Sequence, residues 1–189
     1  NKLGTMNIDN FLDELSTASP APGGGSVSAL AGSLAASLSS MVANLTFGKK
    51  KWNDLYAKMC NISEESQELK DILLLLIDKD TISFNKVMDA YKLPRNNPNA
   101  EKHRLKQIEI AIQNATLIPF EILKCCDKVL ELSIEAAKYG NPNSISDAGV
   151  AGELSSAGGY GASLNVFINL NEINDQNFKK NIKNETNKL

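Results

Sequence analysis

The sequence has few of the residues that most often carry metal and redox chemistry. It contains one histidine, His103, and three cysteines, Cys60, Cys125 and Cys126, among 189 residues. A single histidine excludes a metal site built from several histidines. An odd cysteine count, with two cysteines adjacent, argues against a disulfide framework. We therefore expect core-filling thiols, a reducing setting and no metal.

An excess of one charge sign is also missing. The net charge is −2, so the composition shows no basic footprint for binding nucleic acid. The length predicts a single domain, residues 1–189, with enough chain for a sizeable core. The first residues, Asn1–Thr5, lack the apolar centre of a signal peptide, which predicts a cytoplasmic protein.

Charged residues are absent from two stretches rich in small side chains, 19–48 and 154–171. The first opens with prolines and three glycines and predicts a helix over 26–46, with Gly48 as its C-cap. Residues 27–47 are long enough to span a membrane, yet their many serines favour a buried helix of a water-soluble protein. Because small side chains allow close backbone approach, we expect both stretches at the centre of the fold.

The remaining helices are predicted from apolar residues at steps of three and four. They cover 8–15, a long segment that ends at Tyr91, 99–139 with a kink near Thr116 caused by Pro119, and a last segment from 144 to 171. Residues 164–170 alternate as a strand would, but no partner strand is predicted, so we favour a helix. Residues 171–189 are expected to form a weak helix or a frayed tail. The prediction is an all-α bundle of long antiparallel amphipathic helices around Gly/Ala/Ser-rich central helices.

Two carboxylates stand out as candidates for chemistry. Asp147 follows Ser146, a natural N-cap, and a place in the first turn of a helix favours its ionised form. The alternative is an ordinary carboxylate that interacts with the helix dipole. Asp80 lies on the apolar line of the long helix, where a carboxylate is costly unless it is paired or functional. The alternative is a structural ion pair with a Lys or Arg.

Polar groups near the helix ends are further candidates for ligand contacts. The turn 23–26 could present N–H groups to a ligand, although a flexible turn explains it as well. Lys49, Lys50 and Lys51 could attract an acidic ligand tail or form a solvated patch. Three asparagines could bind a polar ring through their side-chain amides, or they could stabilise turns and fill packing positions. They are Asn141, Asn165 and Asn169.

Three sequence blocks resemble the formiminotransferase-cyclodeaminase C-terminal domain family, which includes stand-alone methenyltetrahydrofolate cyclohydrolases. The first runs from Pro20-Ala21-Pro22-Gly23-Gly24-Gly25-Ser26-Val27 to Phe47-Gly48-Lys49-Lys50. The second contains Asp80, Phe84-Asn85, Val87-Met88 and Leu93-Pro94. The third contains Gly140-Asn141-Pro142-Asn143, Ser146-Asp147-Ala148-Gly149 and the segment from Leu164 to Leu170. One departure is Glu153 with Ser155-Ser156, in a stretch that is usually apolar in the family.

The resemblance implies an all-helical homodimer that acts on one-carbon adducts of tetrahydrofolate and needs no cofactor beyond that substrate. It implies Asp147 and Asp80 as catalytic residues. The implied substrate-binding residues are Gly24, Gly25, Ser26, Lys49, Lys50, Asn85, Asn141, Ser146, Asn165 and Asn169, with the two lysines near the glutamate tail.

Two reactions fit this family, and both pass through the 5,10-methenyl cation. A cyclohydrolase adds water to the methenyl carbon and gives 10-formyl-tetrahydrofolate; a cyclodeaminase closes the 5-formimino adduct and releases ammonia. We predict the first and keep the second as the alternative. Two non-enzymatic classes compete with this prediction. A helical scaffold that binds a partner protein would have a large exposed apolar patch. A membrane-associated protein would depend on detergent.

Overall fold

The computed structural model describes residues 2–47 and 54–189 and contains no strand within those ranges. Its α-helices are α1 (Ile8–Leu15), α2 (Gly24–Asn44), α3 (Tyr56–Tyr91), α4 (Pro98–Tyr139), α5 (Ile145–Glu172) and α6 (Gln176–Thr186). Short 3-10 turns cover Leu3–Thr5 and Pro142–Ser144. The all-α prediction is confirmed.

Helix α2 lies at the centre of the bundle, in contact with α3, α4 and α5. Its small side chains let the neighbouring helices approach closely. A Cβ on Gly32 would lie 2.7 Å from Cys126 Sγ of α4, and a Cβ on Gly158 of α5 would lie 2.9 Å from Ser28 O. Both glycines are therefore needed for the spacing between helices. By length and composition alone α2 could cross a membrane, but most of it is buried in the fold, as in many core helices.

The ends of α2 differ slightly from the sequence prediction. The helix begins two residues early, because Gly23 takes the N-cap position in an extended conformation. It ends at Asn44, and Thr46 then donates from Oγ1 to Val42 O and accepts from Asn141 N, at 2.7 and 2.8 Å. The predicted C-cap, Gly48, lies outside the described residues.

Helices α3 and α4 bury most of the apolar stripes that predicted them, although Tyr91 and Leu105, at the ends of these stripes, are exposed. Leu73 and Leu76 of α3 and Ile122 and Val129 of α4 have no exposed surface. Helix α4 continues through the buried Pro119 instead of ending there. A proline has no N–H, so its ring leaves the carbonyl of Ala115 without the usual helical donor.

The start of α5 corrects one cap assignment. The N-cap is Ser144, whose side chain makes no capping bond, and the predicted cap Ser146 lies exposed inside the first turn with Asp147. The segment 164–170 is helical, as favoured. The segment in which the sequence departs from the family pattern places no charge in the core. Glu153 is exposed, and the buried Ser155 donates a hydrogen bond from Oγ to Gly152 O.

The C-terminal segment holds a defined helix where the sequence predicted a weak helix or a frayed tail. Asp175 caps α6 by accepting hydrogen bonds from Asn177 N and Phe178 N. Phe178 and Ile182 then pack against the main core. The amphipathic spacing of these two side chains is the signal that the tail contributes to the core.

Candidate functional site

A cavity of about 370 Å³ lies where the N-terminus of α2 meets α3, α4 and α5. Proline and glycine residues of the loop before α2 form one wall, and Phe84, Val87 and Met88 of α3 form another. The remaining walls come from Ile112, Ala115 and Pro119 of α4 and from Asn165, Asn169 and Glu172 of α5. Its volume falls within the range of small-molecule sites, about 300–1,000 Å³.

Asp80 faces this cavity from α3 and contacts the first turn of α2. Ser26 Oγ donates a hydrogen bond to Asp80 Oδ2 at 2.9 Å. Burial raises the pKa of Asp80, and hydrogen bonds from the Ser26 side chain and backbone partly oppose that rise by stabilising the carboxylate. No cation forms an ion pair with Asp80 among the described residues. This arrangement favours the functional interpretation of Asp80 over the structural ion pair.

Gly25 permits the approach of Asp80 to α2. A Cβ at this position would lie 2.7 Å from Asp80 Cγ and 2.8 Å from Oδ2, and closer still to Oδ1. Any side chain larger than glycine would therefore displace the carboxylate. Gly24, the residue before it, borders Asn165 in the same cavity. These close contacts give a steric reason for the prediction that the two glycines belong to the site.

The ionisable groups that line the cavity are acidic or phenolic. They are Asp80, Glu172 and Tyr91; no Lys, Arg or His is among the described lining residues. Tyr91 Oη donates to Glu172 Oε2 at 2.9 Å, and this bond is the main cause of the raised pKa of Tyr91. The bond links the C-terminal ends of α3 and α5 at the cavity wall. A cavity with this charge balance suits a cationic ligand.

Sequence reasoning missed Tyr91 and Glu172. Each is the last residue of its helix, a place where polar side chains are usually solvated. A signal was nevertheless present, because Glu172 follows Asn165 and Asn169 at i+7 and i+3 and therefore shares their helix face.

The two cavity asparagines are held in place by backbone carbonyls. Asn165 Nδ2 donates to Gly161 O at 2.8 Å. Asn169 Nδ2 donates to Ala115 O at 3.4 Å, the carbonyl that Pro119 leaves without a helical donor. Each side-chain carbonyl oxygen then remains available as an acceptor for a ligand N–H.

Other predicted site residues lie away from the cavity. Asn85 is exposed and does not line it. Asn141 and Ser146 flank the start of α5, where Asn141 Nδ2 donates to Leu45 O. Asp147 precedes Asn165 by 18 positions on α5, which is about 27 Å along a helix. Within one chain, the two predicted catalytic carboxylates therefore do not share a cavity.

Two further predictions are not tested by the structure. Lys49 and Lys50 lie outside the described residues, so their placement near a glutamate tail stays a prediction. Among the residues described, no group of three or more His, Cys, Asp or Glu is placed to hold a metal ion.

A second concavity of about 670 Å³ lies between the outer faces of α3 and α4. It is larger and more apolar, and Lys79 and Lys86 are among its lining residues. It contains none of the predicted site residues that the structure describes. Its chemistry lacks the partly buried carboxylate and convergent amides of the first cavity, so we regard the first as the candidate active site.

Comparison with known proteins identifies the family. The sequence profile described as "Formiminotransferase-cyclodeaminase" matches residues 7–188. The chain belongs to this family. The match extends over almost the whole chain, as the three resembling blocks predicted.

Relatives of two kinds share this domain. A methenyltetrahydrofolate cyclohydrolase from Methylorubrum extorquens is 39% identical over 175 residues, which cover 93% of this chain and 84% of that protein. The formimidoyltransferase-cyclodeaminase of Mus musculus is 31% identical over 174 residues, 92% of this chain but only 32% of that protein. The chain thus spans about a third of the length of this longer relative.

A solved structure shares the complete fold. The crystal structure of formiminotetrahydrofolate cyclodeaminase from Thermotoga maritima superposes with a TM-score of 0.89 at 32% identity. The alignment covers 97% of this chain and 88% of the other.

Proposed function

We propose that this chain is a folate one-carbon enzyme that converts 5,10-methenyl-tetrahydrofolate into 10-formyl-tetrahydrofolate. The observation that carries the proposal is the first cavity, whose ionisable lining groups are Asp80, Glu172 and Tyr91. The methenyl group is a cationic amidinium, so a site with carboxylates and no cation among its described lining residues is complementary to it. The name of the relative with 39% identity supports the same reaction.

In this proposal Asp80 is the general base. Water adds to the methenyl carbon while Asp80 takes one of its protons, which forms the C–O bond and neutralises the amidinium. The bond between that carbon and N5 then breaks. The hydroxyl proton of the adduct passes to N5 as the C=O bond of the formyl group on N10 forms, and Asp80 returns its proton to solvent, so one proton is released overall. Burial raises the pKa of Asp80, which makes the carboxylate a stronger base than an exposed aspartate.

The cyclodeaminase reaction is the second candidate, because the solved structure with the same fold is a formiminotetrahydrofolate cyclodeaminase. In that direction N10 attacks the formimino carbon on N5, and its proton must be removed as ammonia leaves. The same carboxylate could accept that proton. The charge of the cavity fits both substrates, since a protonated formimino group is also a cation.

The experiment is absorbance-monitored decay of 5,10-methenyl-tetrahydrofolate by purified protein, compared with buffer and with the Asp80→Asn variant. Decay faster than buffer that is lost in the variant supports the proposal. If decay is not accelerated, ammonia release from 5-formimino-tetrahydrofolate becomes the test. Failure with both substrates would contradict the folate function and favour a scaffold that binds a partner protein.

A homodimer is part of the proposal. Helix α2 has no charged residue, and it exposes Val27, Leu34 and Met41 at seven-residue intervals, with Leu34 48% exposed. On the neighbouring α5, Val150 and Leu164 are also about half exposed. A second copy of this chain would bury these apolar side chains. A two-fold axis near the middle of α2 would bring the cavity of one subunit toward the Asp147 end of its partner.

The dimer is tested by size-exclusion chromatography with light scattering. Leu34→Lys places a charge in the middle of the α2 stripe and should give a folded monomer. Leu75→Lys is the matched control, because Leu75 is 58% exposed on α3, outside that stripe. A dimer that survives Leu34→Lys would contradict this interface. Dependence of the wild type on detergent would instead favour membrane association through α2.

The cytoplasmic location and the absence of a cofactor beyond tetrahydrofolate remain predictions. Dialysis against a chelator provides the check for metals: activity should be unchanged after chelation.

A further inference from the structure

The side chain of Ser26 is fully buried behind Asp80 and does not line the cavity. Its Oγ lies 2.9 Å from Asp80 Oδ2 and 3.3 Å from the backbone oxygen of Ile77. A substrate in the cavity would touch Asp80 and not this hydroxyl. The position therefore differs from the ligand contact that the sequence suggested for Ser26.

A serine hydroxyl has one hydrogen to donate and two lone pairs that accept. When Asp80 is ionised, Ser26 can donate its hydrogen to Oδ2. When Asp80 is protonated, Ser26 can accept the carboxylic acid hydrogen and turn its own hydrogen toward Ile77 O. The hydrogen bond with Asp80 Oδ2 has an ordinary length and the one with Ile77 O is long, and the same geometry allows both.

We propose that Ser26 is a positioning residue that satisfies Asp80 in both of its protonation states, as donor to the carboxylate and as acceptor from the carboxylic acid. Its link to turnover rests on the proposed function. A general base must hold and release a proton in each cycle, and a buried carboxyl group without a partner in either state is costly. Ser26 supplies that partner while the carboxyl group stays in place.

The surroundings of Asp80 leave this task to Ser26. Helix α2 carries no charged residue, and the residues of α4 in the cavity wall are Ile112, Ala115 and Pro119. Glu172 of α5 and Tyr91 of α3 are the other titratable groups in the described lining. None of these is a cation that could stabilise the carboxylate. The hydrogen bonds from Ser26 are the contributions that lower the pKa of Asp80 against its burial.

The proposal is tested first by titration of Asp80 in the ligand-free protein. The carboxyl ¹³C signal of Asp80 is assigned by its loss in Asp80→Asn and followed against pH. Ser26→Ala removes the stronger, charge-assisted bond, so the midpoint should move upward by about one pH unit. Ser39→Ala is the matched control, because Ser39 is equally buried but donates to Ala35 O within α2. It should leave the midpoint unchanged.

A second variant guards against loss of folding in Ser26→Ala. Ser26→Cys keeps nearly the same size but is a weaker donor, so the midpoint should move in the same direction. Ser26→Thr keeps the hydroxyl and should return the midpoint toward wild type. An unchanged or lowered midpoint in the Ala and Cys variants would overturn the proposal.

The kinetic test separates this inference from the proposed function. In Ser26→Ala the acid limb of the kcat/KM profile for the methenyl substrate should move upward with the NMR midpoint, and Ser26→Thr should restore it. If the wild type turns over neither folate substrate, the proposed function fails, yet the NMR result still decides the role of Ser26. A profile that does not move although the NMR midpoint does would overturn the link to turnover.

Discussion

Gly25→Ala offers a sharp test of the candidate site, because its effect can be worked out from one contact. The new Cβ would lie 2.7 Å from Asp80 Cγ, whereas ordinary contacts begin near 3.4 Å. The carboxyl group must therefore move by about 0.7 Å or more, and its oxygens further. Since a displacement of about 1 Å can reduce turnover about 100-fold, we expect kcat/KM to fall by about 10- to 100-fold.

Stability should not fall in parallel. Alanine is a better helix former than glycine by about 1 kcal/mol, and Gly25 lies in the first turn of α2. This gain opposes the strain of moving Asp80, so the thermal midpoint should change little. Loss of activity in a folded protein would separate displacement of the base from unfolding.

The assay is methenyl-tetrahydrofolate decay together with thermal unfolding. Gly152→Ala is the matched control, since a Cβ there approaches no atom closer than 3.6 Å, an ordinary contact with Ser133 Oγ of α4; it should keep full activity. In an Asp80→Asn background, Gly25→Ala should cause little further loss, because both changes act on the same group. Activity of Gly25→Ala within about twofold of wild type would refute the steric reasoning.

Three further predictions concern charge and reactivity. Burial raises the pKa of Asp80, so ionisation of Asp80 destabilises the folded state fully above its pKa in the folded protein and not at all below the pKa of an unfolded aspartate. Asp80→Asn should therefore match or exceed the wild-type Tm at pH 7, and its advantage in Tm should shrink as the pH falls. An advantage that grows on acidification would contradict this. If Asp147 completes the site from a partner subunit, Asp147→Asn should abolish turnover in a folded dimer. Mixed dimers of Asp147→Asn with Asp80→Asn subunits should then regain part of the turnover. Turnover retained in Asp147→Asn alone would show that Asp147 is not a catalytic residue. Burial raises the pKa of Cys125 to about 11 and of Cys126 to about 12. A disulfide reagent should therefore react first with the half-buried Cys60. Equal reaction rates at all three thiols would contradict the burial of Cys125 and Cys126.

The helices were predictable because periodic burial leaves a direct trace in sequence. The stripe that includes Leu73 and Leu76 identified α3, and that which includes Ile122 and Val129 identified α4. Cap positions were less secure: α5 is preceded by Ser144, although Ser146 has the same side chain and also lies near the boundary. Local preference alone does not select between two serines when the turn Pro142–Ser144 sets where the helix begins.

The site was predictable only in part. Asp80 attracted attention because a carboxylate on an apolar face needs a reason, and the structure places it beside Gly25 and Ser26. The pair of Tyr91 and Glu172 is separated by 81 positions, and no local pattern indicates that the ends of two helices meet.

The sequence by itself determined the family, the all-helical class and the small-residue helices, because these depend on periodicity, composition and motifs along the chain. The tertiary structure decided which polar groups share a cavity. It brought Asp80 to the start of α2 through contacts that span 54 positions, and it placed Asp147 at the far end of a long helix from Asn165. Such distances arise from how rigid helices pack, and the order of residues in the chain does not encode them locally.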